Sequence, residues 1–208
     1  VTRVKICGVT TEEQALVCVD AGADAIGVNF VPSSVRRVDE MTARAIVRAV
    51  NGRALVVGVV ADLTVGAMRA LRERTGVGCL QLHGCESEAD VSALLPHAYK
   101  AIRIGAASDV AVAEAMPGEY VMVDSGGAEG ALGGTGRSFD WTLVVRLATR
   151  RKLVLAGGLK PENVADAIQQ VRPWCVDVAS GVESSPRIKD VDKVLAFVEA
   201  VRGSDLSP

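Results

Sequence analysis

The sequence predicts an α/β protein, a single-domain (β/α)8 barrel of the TIM type, and three observations lead there. Short β-branched runs alternate with longer amphipathic stretches from end to end, and the hydrophobic period changes at each switch. Eight such pairs share 208 residues, or 26 each by division, close to the ~30 residues of a βαβ unit. With 49% apolar residues, only 3% aromatic ones and 21 glycines, the core must be built from Val, Ala, Leu and Ile joined by tight turns, a composition that suits parallel strands. An open doubly wound sheet fits less well. That fold often carries a Gly-x-Gly-x-x-Gly turn after its first strand, whereas this first strand runs into Cys7-Gly8-Val9-Thr10.

In chain order, the apolar runs predict strands over Arg3–Cys7, Ala25–Phe30, Leu55–Val60, Cys79–His83, Tyr99–Ile104, Tyr120–Asp124, Leu153–Ala156 and Val176–Ala179. The intervening stretches predict helices over Thr11–Ala21, Thr42–Val50, Val65–Arg74, Ser87–Leu95, Val110–Met116, Trp141–Leu147, Pro161–Val171 and Val191–Val201. Start signals support several of them. Thr10 and Glu13 have capping-box spacing, Asp140 is placed to cap Trp141, and Pro161 suits a first helical turn, where its missing amide costs nothing. The tail from Gly203 to Pro208 reads as frayed.

The charge balance excludes several classes of function. Lys and Arg total 23 against 25 Asp and Glu, for a net charge of −2, which leaves no electrostatic footprint for nucleic acid or an acidic membrane. No apolar run approaches the ~20 residues of a membrane span, and Val1-Thr2-Arg3-Val4 does not resemble a signal peptide. Cys7, Cys18, Cys79, Cys85 and Cys175 are odd in number and lack Cys-x-x-Cys spacing, so a reducing cytoplasm is expected rather than disulfides or zinc. Metal ligation is not expected either, because His83 and His97 form no paired motif, and the fingerprint of a dinucleotide cofactor is missing.

In such a barrel the reactive groups lie where strands end. Cys7 after the first strand, Arg36 and Arg37 after the second, Asp62 after the third, His83 after the fourth, Asp124 after the sixth and Asp177 in the eighth meet that criterion. The turns Ala156-Gly157-Gly158-Leu159 and Ala179-Ser180-Gly181-Val182 follow strands seven and eight, where barrels commonly hold a phosphate. Gly157, Gly158, Ser180 and Gly181 are therefore candidate phosphate ligands, although glycine there can equally serve a tight turn. Asp124 ends an apolar run, and a raised pKa would make it a general acid; a cap to the glycine-rich segment is the alternative. Cys7 can be a base, a nucleophile or a small buried hydrophobe. Arg36 can grip a carboxylate with two prongs or remain solvated charge. His83 can carry a proton, orient a partner or serve structure alone. Residues 125–138, rich in Gly and Ala, are long enough for a lid or a plain insertion.

Six segments in order resemble the phosphoribosylanthranilate isomerase family of tryptophan biosynthesis. They are Lys5-Ile6-Cys7-Gly8, Pro32-Ser33-Ser34-Val35-Arg36, Gln81-Leu82-His83-Gly84, Gly133 through Trp141, Ala156 through Leu159 with Pro161-Glu162-Asn163-Val164, and Val176 through Glu183. The resemblance implies an Amadori rearrangement of N-(5-phosphoribosyl)anthranilate without metal or coenzyme. Asp124 would be the general acid and Cys7, entering as thiolate, the general base, with environments that push their pKa values apart. Arg36 would hold the anthranilate carboxylate, His83 and Asp177 would add contacts, and the two glycine turns would hold the phosphate. Asn29, Ala61-Asp62 and Arg137 depart from the family pattern. The partner implied is a small molecule, and either a monomer or a homodimer is compatible. An isomerase of the histidine pathway, an epimerase of a ribulose phosphate and a silent phosphate-binding barrel are the alternatives.

Overall fold

A computed structural model of the chain describes residues 1–125 and 140–204. Eight parallel strands close into a barrel in sequence order: β1 (Arg3–Cys7), β2 (Ala25–Asn29), β3 (Leu55–Val60), β4 (Cys79–Leu82), β5 (Ala98–Ile104), β6 (Tyr120–Ser125), β7 (Lys152–Leu155) and β8 (Cys175–Val178). β8 returns to β1 in a register that sets Lys5 beside Asp177. The outer layer holds α1 (Glu12–Asp20), α2 (Glu40–Val50), α3 (Val65–Thr75), α4 (Glu88–Leu94), α5 (Ala107–Ala115), α6 (Val145–Ala148), α7 (Val164–Val171) and α8 (Val191–Ser204).

Period-two alternation gives each strand one face toward the helices and one toward the barrel interior. In β1, Val4 and Ile6 join the large cluster packed against the helices, while Lys5 and Cys7 turn inward. In β6, Val121 and Val123 face the helices and Met122 faces inward with Val57, Tyr99 and Val154. Each strand is thus covered on both faces, which a parallel sheet requires.

Every predicted element is present, β1 and β3 with the predicted ends and the others with shifted ones. The first helix is capped by Thr11, whose side chain accepts from the Gln14 amide, and not by a Thr10–Glu13 box. The second starts two residues early behind Asp39, and the fifth starts at Ala107. Asp140 caps Trp141 as expected, but the segment opens as a 3-10 turn over Trp141–Val144 before α6. Pro161 lies in a turn ahead of α7, which begins only at Val164. The last helix continues through Gly203 to Ser204, so the tail is ordered further than its composition suggested. After β8 the chain makes a short 3-10 turn (Ser180–Val182) and a two-stranded hairpin, β9 (Glu183–Ser185) with β10 (Ile188–Lys189), which the sequence did not suggest. The predicted lid, apart from Ser125 in β6, falls outside the described residues, as does Arg137.

Candidate active site

The carboxyl ends of the strands bring Cys7, Arg36, His83, Asp124 and Asp177 around one cleft of about 70 Å³, with Asn29 on its wall. Strand geometry places three of them: Cys7, His83 and Asp124 each stand two residues beyond an inward-facing residue of the same strand (Lys5, Gln81 and Met122) and so face the same way. A larger cavity of about 410 Å³ opens at the other end of the barrel, beside Tyr120 and Trp174. Its outer charges, Arg3 and Asp24, are paired with each other, whereas the reactive groups converge at the mouth.

Asp124 is only 5% exposed. Burial, and then the nearby Asp177 carboxylate, push its pKa up to about 6, so the group holds a proton near neutrality more readily than an ordinary carboxyl. His83 Nε2 lies 3.7 Å from Asp124 Oδ2, too far for a hydrogen bond. Burial, with the charges of Lys100, Arg103 and Lys5, pulls the imidazole down to about 4, and the ring is neutral.

Cys7 differs from expectation. Burial raises its thiol above the usual value, and the pull of Lys5 toward thiolate does not overcome this. The Asp177 carboxylate adds to the rise, and it also engages Lys5, whose Nζ donates to Asp177 Oδ1 at 2.8 Å and Gln81 Oε1 at 3.0 Å. Although burial works against its charge, Asp177 holds Lys5 well above its ordinary value. The two catalytic candidates are therefore both pushed toward their protonated forms rather than apart. Asp177, expected as a contact for substrate, is first an ion partner of Lys5 and a charge acting on Asp124.

Arg36 reaches the mouth, but its fork is occupied. Nε donates to Glu183 Oε1 at 2.7 Å and Nη2 to Glu183 Oε2 at 2.6 Å, leaving the Nη1 edge for another anion. Gly8 makes this possible: its φ is +76°, and a Cβ there would stand 2.3 Å from Arg36 Cδ. Arg37 is exposed, and its backbone closes the same loop onto Asn29. Asn29 accepts from the Val31 amide at 2.8 Å, so this departure shapes the loop carrying Arg36. Asp62 accepts from the Cys85 amide at 2.7 Å and braces the turn after β4.

Gly157, Gly158 and Ser180 line a second cleft that meets the first at Asp124 and Asp177. Gly157 has φ +90°, and a Cβ on it would strike the Ser125 amide nitrogen at 2.4 Å, so the turn after β7 needs glycine on steric grounds. Gly181 sits beside Ser180 in the 3-10 turn. Among the described residues no cluster of three metal-ligating side chains occurs, and no helix is long and apolar enough to cross a membrane.

Sequence reasoning missed four polar residues of the site. Lys5 and Gln81 were within reach, because strand alternation stacks them beneath Cys7 and His83. Glu183 and Lys189 come from the hairpin after β8. Lys189 Nζ donates to the Cys7 carbonyl at 2.6 Å and to Glu183 Oε1 at 3.1 Å, and no local pattern announces that.

Comparison with known proteins places this geometry in context. The family described as N-(5'phosphoribosyl)anthranilate (PRA) isomerase matches residues 4–200. The N-(5'-phosphoribosyl)anthranilate isomerase of Pseudomonas fluorescens (strain Pf0-1) is 42% identical over 201 residues, covering 96% of this chain and 98% of that protein. The crystal structure of phosphoribosyl anthranilate isomerase from Thermotoga maritima superposes with a TM-score of 0.88 at 36% identity, covering 98% of this chain and all of that one. A crystal structure of such an isomerase in complex with reduced 1-(o-carboxyphenylamino)-1-deoxyribulose 5-phosphate gives a TM-score of 0.85 at 33% identity, covering 98% of this chain and 100% of that one.

Proposed function

The chain belongs to the N-(5'-phosphoribosyl)anthranilate isomerase family, and from that premise we propose how its barrel mouth carries out the Amadori rearrangement of N-(5'-phosphoribosyl)anthranilate in tryptophan biosynthesis. The carrying observation is that one cleft gathers a buried carboxyl, a buried thiol and an oriented guanidinium, Asp124, Cys7 and Arg36, beside the glycine turns after β7 and β8.

Asp124 donates its proton to the furanose ring oxygen, the C1–O bond breaks, and the anilino nitrogen supplies electrons to give a protonated imine. Cys7, as thiolate, takes the C2 proton, and the C–H electron pair forms the enolamine while the C=N electrons return to nitrogen. Tautomerisation to the ketone gives 1-(2-carboxyphenylamino)-1-deoxyribulose 5-phosphate. The free Nη1 edge of Arg36 meets the carboxylate of the anthranilate, and Gly157, Gly158, Ser180 and Gly181 take the phosphate, whose binding is remote from the reacting carbons and serves to position them. The five free cysteines support a reducing, cytoplasmic setting.

The test is the decay of anthranilate fluorescence when the purified protein meets freshly made phosphoribosylanthranilate, with Cys7→Ala and Asp124→Asn alongside. Each substitution is expected to lower turnover by about 10²–10⁴-fold, the usual size of a general acid or base contribution, while binding of a reduced product analogue persists. No decay above the spontaneous background would discard the activity. Near wild-type turnover in either variant would discard that residue's role.

A further inference from the structure

A chain of hydrogen bonds runs through the barrel interior from Tyr99 to His83, and its chemistry leaves one arrangement of protons. Lys5 carries an ammonium, which only donates. Its Nζ lies 3.0 Å from the side chain of Gln81, so the Gln81 oxygen must face it, and the Tyr99 hydroxyl donates to that same oxygen at 3.1 Å. The Gln81 NH2 group then faces His83 Nδ1 at 2.9 Å. An amide NH2 also only donates, so Nδ1 must present a lone pair, and the proton of a neutral imidazole resides on Nε2. That Nε2 is buried without a hydrogen-bond partner among the described residues, and it points toward Asp124 Oδ2 at 3.7 Å.

We propose that Gln81 is a positioning residue: its amide fixes His83 as the Nε2–H tautomer, so that the imidazole presents a donor to Asp124 and leaves the acid's proton for the substrate. An Nε2 lone pair at this place would compete for the carboxyl proton, whereas an N–H cannot accept it. Once Asp124 has given its proton away, the same N–H faces the carboxylate and favours it. Lys100 and Arg103 of β5 and Lys5 of β1 are the cations that oppose protonation of the imidazole, and among the described residues the carboxyls that share its cleft are Asp177 of β8 and Asp124 of β6, the latter 3.7 Å from Nε2.

This inference rests on Asp124 being the acid, and the experiment separates the two. The tautomer is read in the unliganded protein from imidazole nitrogen NMR shifts. The chain has only two histidines, and His97→Gln identifies the His83 signals. Wild-type His83 is expected as Nε2–H, and finding Nδ1–H overturns the proposal without any variant of Gln81. Gln81→Glu keeps an oxygen for Lys5 and Tyr99 but, ionised beside Lys5, has no hydrogen to give Nδ1. His83 is then expected to switch to Nδ1–H, with kcat falling about tenfold or more and KM nearly unchanged. A switched tautomer with unchanged kcat overturns the proposal, while near wild-type turnover in Asp124→Asn overturns the acid assignment on which it stands.

Discussion

Arg36 and Glu183 meet through two parallel hydrogen bonds, at 2.7 and 2.6 Å, that tie the loop after β2 to the hairpin after β8. The same carboxylate accepts from the buried Lys189 at 3.1 Å, so one anion anchors two cations. Glu183→Gln would leave both facing a neutral amide. The expected result is a stability loss of about 3 kcal/mol and a KM that rises more than kcat falls, because Arg36 is no longer held for the substrate carboxylate. Thermal melts and steady-state kinetics measure both, and an unchanged KM would sink the role given to Glu183.

Gly8 supports the same guanidinium from below. With φ at +76° and its absent Cβ occupied by the Arg36 side chain, Gly8→Ala should cost about 1–3 kcal/mol through backbone strain and raise KM by displacing Arg36. Gly66→Ala is the control. It lies in α3 with open space around a new Cβ, and it should raise stability by roughly 0.5–1 kcal/mol without touching KM. Equal effects from the two substitutions would show that Gly8 has no particular link to Arg36.

What was legible in the sequence follows from the range of the interactions. Strands and helices are local patterns, and barrel closure follows from their count, so Cys7, His83 and Asp124 could be placed at the mouth from strand ends alone. Helix starts were less legible: Pro161 permits a first turn without requiring one, and the chain delays α7 until Val164. The electrostatics were hidden for a different reason. Whether Cys7 is thiol or thiolate depends first on its burial, then on Lys5, two residues away, and on Asp177, which also engages Lys5 from 172 residues away. Lys189 reaches Cys7 across a comparable gap, and a contact that long leaves no periodic trace. The glycine turns were visible as composition, yet only the 2.4 Å approach of a Gly157 Cβ to Ser125 shows why a side chain fails there.

The titration of the mouth predicts a specific pH profile. The acid must hold its proton, with a pKa of about 6, and the base must have lost one that burial holds above the usual thiol range. The productive form is thus a minor one, roughly constant between the two values. It falls tenfold per pH unit below Asp124's value, where Cys7 gains protons, and likewise above Cys7's value, where Asp124 has lost its own; the two limbs belong to the coupled pair. Asp177 raises both groups, so Asp177→Asn should move both limbs of kcat/KM to lower pH, whatever happens to its height. An acid limb that stays near 6 would show that Asp177 does not act on Asp124.

The raised pKa of Asp124 also makes the site a cost to stability, with a definite sign. Its pKa rises from 3.8 unfolded to about 6 folded, so the folded state binds the proton more tightly and loses stability as pH climbs through that window. At two pKa units the loss is on the order of 3 kcal/mol. Asp124→Asn removes the charge at nearly constant shape and should therefore stabilise the protein by about that much at pH 7–8, while turnover falls by about 10²–10⁴-fold. Below about pH 4 the gain should vanish, because the aspartate is then protonated in both states. His83 works in the opposite sense: its depressed pKa removes stability as pH falls from 6.5 toward 4; with Nε2 only 3.7 Å from Asp124 Oδ2 that slope differs between the two proteins, so the pair is also compared in a His83→Gln background, where it is absent. Urea unfolding of the pair across pH 4–8 gives the difference directly, and one that stays flat with pH would falsify the assignment of Asp124 as the raised carboxyl.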